Sequence, residues 1–288
     1  MSPHAAARLA LAVFAACGGA AAAGASALPR PDHVVVVIEE NKGFADIIGN
    51  RKAPYINGLA ARGALFTQSY ALAHPSQPNY IMLFAGSSLG VTGDGLPRRL
   101  PFSAPNLGAE LIAKGLSFRG YSEDLPAAGF TGRKAGDYAR KHNPWVNWQG
   151  APANAIPVLA NVPFGAWPAD LERLPTVAFV VPNLQHDMHD GTIAQGDAWL
   201  AAQLGPYVRW AAAHNSLLVL TFDEDNGRAK QRIPTIFVGP MVRPGRYPQR
   251  ITHDNVLRTL EGFYALPPSG AAAQARPIDF CWQPAAGR

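Results

Sequence analysis

Cysteine is nearly absent from this chain of 288 residues, which contains only Cys17 and Cys281. Cys17 falls in a leading segment that has the pattern of an export signal, so removal of that segment leaves one cysteine. A single cysteine excludes an intramolecular disulfide. The stability of the mature fold is therefore expected to come from its hydrophobic core, with or without a bound metal.

The leading segment also lacks an apolar run long enough to span a membrane. A short apolar core at 9–16 precedes Ala25-Ser26-Ala27, which matches the small-residue pattern of a cleavage site. We therefore predict a signal peptide at 1–27, a single domain at 28–288, and a secreted or periplasmic location. A second interpretation, lipid attachment at Cys17, stays open.

Charge is scarce as well, since Asp, Glu, Lys and Arg make up 16% of the residues. After residue 30 there is no long run of charge, no low-complexity tract and no repeat with a period of about 20–50 residues. This excludes a mostly disordered chain and a solenoid. The hydrophobic content of 48% is ample for one sizeable domain.

The formal net charge of +5 comes from dispersed basic residues without the aromatic–basic pattern of a nucleic-acid module. Nucleic acid is therefore not an expected partner. The basic excess favours anionic substrates or surfaces through long-range attraction. Ordinary surface charge is the alternative.

Strand and helix patterns alternate along the chain. We predict strands at His33–Ile38, Ala64–Ser69, Ser117–Tyr121, Thr176–Val181, Leu217–Phe222 and Thr235–Val238, and helices at Pro54–Arg62, Asn79–Phe84, Leu107–Lys114, Gly196–His214 and Asp254–Tyr264. Residues 124–170, rich in Gly, Pro, Trp and Asn, are predicted to form an excursion over one face. The alternation predicts an α/β fold with a mostly parallel central sheet and helices on both faces.

Acidic residues follow two of the predicted strands at the point where each ends. Glu39, Glu40 and Asn41 follow the first strand, and Asp223 and Glu224 follow a later one. Carboxylate and amide oxygens from separate strands form a cage suited to a divalent cation. Solvated loop carboxylates are the alternative for either group alone.

The segment His74–Tyr80 places Ser76 between two prolines at the start of a helix. Free amide groups there can hold phosphate oxygens, and a bound cation can lower the pKa of the hydroxyl. An ordinary helix cap is the alternative, because Ser is a preferred capping residue.

The segment His186–Asp190 contains two His and two Asp within five residues, directly after a predicted strand. Such a group supplies ligands or proton carriers, unless it is merely a polar loop. Lys141-His142 and His253 are weaker candidates for neutralising or protonating a leaving group.

Gly86–Gly90 matches the G-x-S-x-G pattern of serine hydrolases. That motif needs a strand before it and a helix after it. The glycines and the proline in 91–97 argue against a helix, so a carboxylesterase is a minor alternative.

The ordered motifs Glu40-Asn41, His74–Tyr80 and Asp223-Glu224 resemble those of the bacterial phosphoesterase family of acid phosphatases and phospholipases C. This family belongs to the alkaline-phosphatase superfamily. The resemblance runs from about His33 to Pro267 and is strongest to small secreted acid phosphatases.

The resemblance implies an alkaline-phosphatase-like fold and one divalent cation, with Ca, Mg, Mn, Zn and Fe all open as its identity. One cation is expected because Asn183 stands where two-metal relatives have Asp. The implied metal ligands are Glu40, Asn41, Ser76, Asp223 and Glu224. The implied catalytic residues are Ser76 as nucleophile and His142 and His189 at the leaving oxygen, and the implied substrate-binding residues are Asn79, Lys141, Asp187 and His253.

Together these features predict a secreted, metal-dependent acid phosphatase that hydrolyses phosphate monoesters through a phosphoserine. Its expected partner is a phosphate ester, with a phosphoinositide or other phospholipid head group as one candidate. A phosphodiesterase or phospholipase C stays open, because Trp145, Trp148 and Trp167 would either line a slot for a second ester group or simply pack against the domain. A non-catalytic exported binder of phosphorylated surfaces is the alternative from another class.

Overall fold

The computed structural model describes residues 28–283. The predicted signal peptide and Cys17 lie outside these residues, so the division of the chain at residue 28 stays a prediction. Among the described helices, none combines the length and apolar character that crossing a membrane requires.

Strands and helices alternate, as the sequence predicts. The strands are β1 His33–Glu39, β2 Ala64–Tyr70, β3 Phe118–Ser122, β4 Lys134–Ala135, β5 Tyr138–Ala139, β6 Asn161–Pro163, β7 Val177–Val181, β8 Ser216–Phe222, β9 Arg232–Ile233, β10 Thr235–Val238 and β11 Gly245–Thr252. The helices are α1 Phe44–Ile47, α2 Pro54–Arg62, α3 Ser76–Ala85, α4 Leu107–Ala113, α5 Ile193–Gln203, α6 Gly205–Ala211 and α7 His253–Phe263, with short 3-10 turns that include Arg140–His142 and Pro144–Trp148.

One large sheet has the strand order β11-β2-β10-β8-β1-β7-β3-β6, with β9 beside β2. The pairs along β8-β1-β7-β3-β6 and the pair β11-β2 are parallel, whereas β10 runs antiparallel to both of its neighbours. The predicted mostly parallel sheet is therefore confirmed.

Strand β1 lies inside the sheet, and Val34–Ile38 are fully buried. Val34, Val36 and Ile38 join the core on one face, and Val35 and Val37 join the core on the other. This two-sided burial explains why β1 is an unbroken β-branched run and not an alternating pattern.

Helices cover both faces of the sheet, as predicted. The core on one face includes buried residues of α3, α4 and α7. The opposite core includes buried residues of α1, α2, α5 and α6.

The carboxyl ends of the parallel strands meet at one edge, where α/β folds commonly bind ligands. Backbone hydrogen bonds join the ends of β1 and β8 to each other, and the end of β1 to the loop that follows β7. The N–H of Glu40 donates to the carbonyl of Asp187 at 2.7 Å, and the N–H of Asp223 donates to the carbonyl of Glu39 at 3.0 Å. Residues that are distant in sequence are thus held together at this edge.

Two helices differ from the predicted bounds because of proline. Helix α3 begins at Ser76 and not at Asn79, since Pro78 occupies its first turn, where an N–H has no partner within the helix. The predicted helix Gly196–His214 is two helices, α5 and α6. Pro206 in the first turn of α6 cannot donate the N–H that a continuous helix requires.

Five of the described strands were missed by the sequence patterns: the two-residue strands β4, β5 and β9, and the longer strands β6 and β11. Strand β6, inside the predicted excursion, pairs with β3 and extends the sheet. Strand β11 is an edge strand in which only Tyr247 and Ile251 are buried, and its register shifts between Tyr247 and Arg250. Its polar residues and Pro248 suit an edge but hide the strand pattern.

Glu261 in α7 should make stability fall as pH rises. Its side chain is fully buried, its Oε1 accepts the Ser269 N–H at 2.7 Å, and its Oε2 has no hydrogen-bond partner among the described residues. Burial raises the pKa of Glu261 to about 7. Because the folded pKa is raised, the neutral acid contributes stability below its unfolded pKa, and that contribution is lost as pH rises towards 7.

We therefore expect Glu261→Gln to flatten the fall in unfolding free energy between about pH 5 and 8, by on the order of 2 kcal/mol. Urea unfolding at several pH values measures this. Parallel profiles for the two proteins would contradict it.

Candidate active site

Ser76 is the first residue of α3 and is almost fully buried between two carboxylates. Its Oγ lies 3.0 Å from Glu40 Oε2 and 3.2 Å from Glu224 Oε1. A hydroxyl carries one hydrogen, so it can donate to only one of these carboxylates at a time. The arrangement leaves negative charge around the hydroxyl that a cation would balance.

Asp223 adds a third buried carboxylate. Its Oδ1 accepts the backbone N–H of Asn41 at 3.1 Å, and its Oδ2 has no hydrogen-bond partner among the described residues. Burial, with the charges of Glu40 and Glu224, raises the pKa of Asp223 well above its usual value. Asn41 adopts a left-handed backbone conformation (φ 49°), which Asn tolerates better than most residues.

These groups fit a divalent cation. Glu40 and Glu224 flank the Ser76 hydroxyl, and the charges of both act on Asp223. The buried Asp223 Oδ2 atom has no partner within residues 28–283. Oxygen ligands of this kind suit hard cations.

His142 lies between two carboxylates on the other side of Glu40. Its Nε2 is 3.0 Å from Glu40 Oε1, and its Nδ1 is 3.1 Å from Asp187 Oδ2. The Tyr80 ring stacks on the imidazole, with the ring centroids 5.1 Å apart. Burial opposes charge on this ring, but the two carboxylates outweigh it and raise the pKa of His142 to about 10.

A second metal-ligand arrangement overlaps the first at Glu40. Ligand atoms of Glu40, His142 and His189 all lie within 4.8 Å of one another. Oxygen ligands alone suit Ca, Mg or Mn, whereas a set with imidazoles admits Zn or Fe. The residues present therefore fit a metal without identifying it.

Lys141 and His189 form the accessible wall of the site. Lys141 Nζ lies 2.8 Å from Asp94 Oδ2 and 3.2 Å from His189 Nε2, and His189 Nδ1 lies 2.6 Å from Asp190 Oδ1. Burial opposes the charge of Lys141, but the Asp94 contact and nearby carboxylates raise its pKa. These groups line a cavity of about 500 Å³ together with Gln77, the residue after the predicted nucleophile.

The structure thus brings together most of the predicted site, namely Glu40, Asn41, Ser76, Lys141, His142, Asp187, His189, Asp223 and Glu224. The side chains of Asn79 and His253 form no hydrogen bond with these nine residues in the described structure. His253 begins α7 and is buried, and neither ring nitrogen has a hydrogen-bond partner among residues 28–283. Burial lowers the pKa of His253 to about 4, so the ring is neutral.

Asn79 anchors the loop that leads to Ser76. Its Oδ1 accepts the N–H groups of Leu72 and Ala73, both at 3.0 Å, and its Nδ2 donates to the Ala73 carbonyl at 2.7 Å. Its predicted contact with substrate remains a prediction.

We expect Asn79→Ala to lower the unfolding free energy by about 2–4 kcal/mol, because three partly buried backbone groups of the loop lose their partner. Thermal unfolding measures this. Lost activity in a variant of unchanged stability would instead favour direct contact with substrate.

His74 and Asp225 belong to the site but were not among the predicted residues. His74 Nδ1 lies 2.5 Å from Glu224 Oε2, and His74 Nε2 lies 3.1 Å from Asp225 Oδ1. The only sequence signals were that His74 opens the segment containing Ser76 and that Asp225 extends an acidic run. The contact between His74 and Glu224 joins residues 150 positions apart, so it could not be read from local pattern.

The G-x-S-x-G segment does not form a nucleophile elbow. Gly86 ends helix α3 with φ 64°, so a helix and not a strand precedes Ser88. No helix follows in 87–106, which is part of the described chain. The carboxylesterase alternative is therefore excluded on structural grounds.

Comparisons with known proteins agree with the predicted resemblance. The Phosphoesterase family matches residues 50–267. The chain is 52% identical to a phosphatidylinositol-3-phosphatase of Mycobacterium tuberculosis, over 90% of this chain and 85% of that protein. It is 30% identical to an acid phosphatase of Aspergillus fumigatus, over 80% of this chain but only 54% of that longer protein.

Solved structures show the same fold at low sequence identity. An alkaline phosphatase superfamily protein from Vibrio parahaemolyticus superposes with a TM-score of 0.59 at 12% identity, covering 88% of this chain and 71% of that one. A periplasmic domain from Escherichia coli, crystallised with Zn, gives a TM-score of 0.55 at 10% identity, covering 87% of each chain. The chain therefore belongs to the Phosphoesterase family, has the alkaline-phosphatase superfamily fold, and is a hydrolase of phosphate esters.

Proposed function

We propose that this protein is an exported, metal-dependent acid phosphatase that hydrolyses phosphate monoesters through a phosphoserine at Ser76. The observation that carries this proposal is the placement of Ser76 Oγ between Glu40 and Glu224 at the start of α3. A serine in ordinary helix capping would bond its own helix, but Ser76 caps nothing, since the residue at the cap is Pro75.

The reaction has two steps at the Ser76 oxygen. In the first, Oγ attacks phosphorus in line with the departing alcohol, and a phosphoserine forms. In the second, water attacks the same phosphorus and releases inorganic phosphate. The carboxylates of Glu40 and Glu224 are placed to hold the Ser76 oxygen and to take up its proton.

His189 and Lys141 are the groups placed to meet the departing oxygen. Both line the cavity beside Gln77, whereas His142 is buried with its two nitrogens against carboxylates. We assign proton delivery to His189, with Lys141 as its hydrogen-bonded neighbour. His142 holds Glu40 and Asp187 in position.

A divalent cation would be held by Glu40, Asp223 and Glu224, with Asn41 and Ser76 beside them. When bound, it would lower the pKa of the Ser76 hydroxyl and offset charge on the phosphate oxygens.

The substrate we propose is a phosphate monoester, with a phosphoinositide head group as a candidate. The name of the mycobacterial relative supports the latter, and the acid phosphatase names of the fungal relatives support the broader class. We also propose export through residues 1–27, which N-terminal sequencing of the exported protein would test by finding Leu28 first.

The phosphodiesterase alternative is less well supported. Trp145 and Trp148 are fully buried, and their indole N–H groups donate to Asn161 Oδ1 and to the Ala104 carbonyl. They pack with Phe84, Phe118 and other rings of the core. These contacts favour packing over a slot for a second ester group.

Hydrolysis of p-nitrophenyl phosphate and bis-p-nitrophenyl phosphate, before and after EDTA and across pH 5 to 9, tests the proposal. We expect the monoester to be preferred, chelation to abolish turnover, and one added cation to restore it. Turnover indifferent to EDTA would refute the metal role, and preference for the diester would favour the phosphodiesterase.

A further inference from the structure

The cavity lined by Gln77, the residue after Ser76, is larger than one phosphate needs. Besides Gln77, Lys141 and His189, its lining includes Arg133, Lys134 and Arg140. Its volume of about 500 Å³ is in the range of small-molecule sites, which span roughly 300–1,000 Å³. Because Lys141 and His189, which are assigned to the departing oxygen, line this cavity, the departing alcohol of the substrate would enter it.

A short hairpin carries the basic residues that line the cavity. Strands β4 and β5 pair antiparallel, with Lys134 opposite Ala139. The N–H of Arg140 donates to the carbonyl of Arg133 at 3.0 Å. The two arms therefore carry Arg133-Lys134 and Arg140-Lys141 side by side.

Within residues 28–283, Arg140 is a buried cation without a carboxylate partner. Its side chain is 8% exposed and donates to the Thr131 carbonyl and to Asn147 Oδ1, which are neutral acceptors. Its Nε has no hydrogen-bond partner among the described residues. A buried charge without an opposite charge is costly, so an anion in the cavity would stabilise it.

The carboxylates of the cavity are engaged by other residues. Asp94 contacts Lys141, and Asp190 contacts His189. Arg133 and Lys134 are exposed, and neither forms an ion pair within residues 28–283. In the described part of the chain, three positively charged side chains of the cavity therefore have no acidic partner.

Resting on the proposed function, we propose that Arg133, Lys134 and Arg140 form a subsite for a second phosphate group carried by the alcohol of the substrate. The preferred substrate class is then a phosphate monoester with a further phosphate elsewhere on the same polyol. Such a molecule can be a soluble bisphosphate or the head group of a lipid. The subsite recognises the second phosphate group, which both molecules carry.

The test compares kcat/KM for D-myo-inositol 1,3-bisphosphate, for phosphatidylinositol 3-phosphate in phosphatidylcholine vesicles, and for p-nitrophenyl phosphate, which has no second phosphate. The subsite variant is Arg133→Gln/Lys134→Gln, whose side chains are exposed. The matched control is Arg51→Gln/Lys52→Gln, an exposed pair of the same types that does not line the cavity. The charge-conserving variant Arg133→Lys/Lys134→Arg checks that charge is what matters.

We expect the subsite variant to lower the ratio of bisphosphate to p-nitrophenyl phosphate kcat/KM by about tenfold or more, from the loss of two charge-assisted contacts. The control should leave that ratio unchanged, and the charge-conserving variant should retain most of it. A fall on the soluble bisphosphate alone would support the subsite and exclude the lipid as its source.

An unchanged ratio would overturn the subsite, and so would a fall confined to vesicles, which would indicate attraction to a surface. The absence of p-nitrophenyl phosphate turnover in the unsubstituted protein would contradict the proposed function itself.

Discussion

Ser76→Ala should lower turnover of p-nitrophenyl phosphate by at least about 10³-fold, because removing a nucleophile leaves only substrate binding and electrostatic effects. The variant should remain folded. Among residues 28–283, the hydrogen-bond partners of Ser76 Oγ are Glu40 and Glu224, and neither carboxylate depends on this hydroxyl for the fold. Steady-state kinetics and thermal unfolding measure the two effects.

Ser88→Ala is the matched control, because Ser88 is the serine of the G-x-S-x-G pattern. It should keep near-normal turnover. Near-normal turnover in Ser76→Ala would refute the nucleophile assignment. Loss of turnover in Ser88→Ala instead would identify Ser88 as the nucleophile.

Asp223→Asn should abolish cation-dependent activity and yet raise the stability of the metal-free protein. Asn can still accept the Asn41 N–H, while the charge beside Glu40 and Glu224 disappears. Asn removes the free-energy cost of burying a charge here and the repulsion with Glu40 and Glu224. The Tm of the EDTA-treated protein should therefore rise by roughly 2–5 °C. The rise in Tm that an added cation gives the unsubstituted protein should be lost.

Thermal unfolding with and without cation measures both effects, and Asp170→Asn serves as control. Asp170 is exposed and caps a 3-10 turn, a position where Asn serves equally well. A lower Tm in metal-free Asp223→Asn would contradict the account of crowded carboxylates. Retained cation binding would instead assign the metal to Glu40, His142 and His189.

The central sheet could be predicted because its signal is local. Strands β1 and β8 each contain a continuous apolar run, at 34–38 and 217–220, because both of their faces are buried. The acidic residues at their ends mark the functional edge. Strand β11 could not be predicted, because an edge strand with one exposed face and a proline lacks that pattern.

The candidate site was predictable where residues follow a strand and less so where partners come from distant segments. Glu40 and Asp223 follow their strands directly. The pairing of His74 with Glu224 and of Lys141 with Asp94 depends on how loops fold over the sheet edge, which local pattern does not encode. Asn79 lies in the right segment, but its side chain faces the loop backbone.

The most direct test of the account is to trap the phosphorylated enzyme. The protein is mixed with excess p-nitrophenyl phosphate, quenched in acid within one turnover, digested and analysed by mass spectrometry. We predict one phosphoryl group on the peptide containing Ser76, and none in Ser76→Ala. A phosphoryl group on His142, His189 or another residue, or none at all in a protein that shows turnover, would contradict catalysis through Ser76.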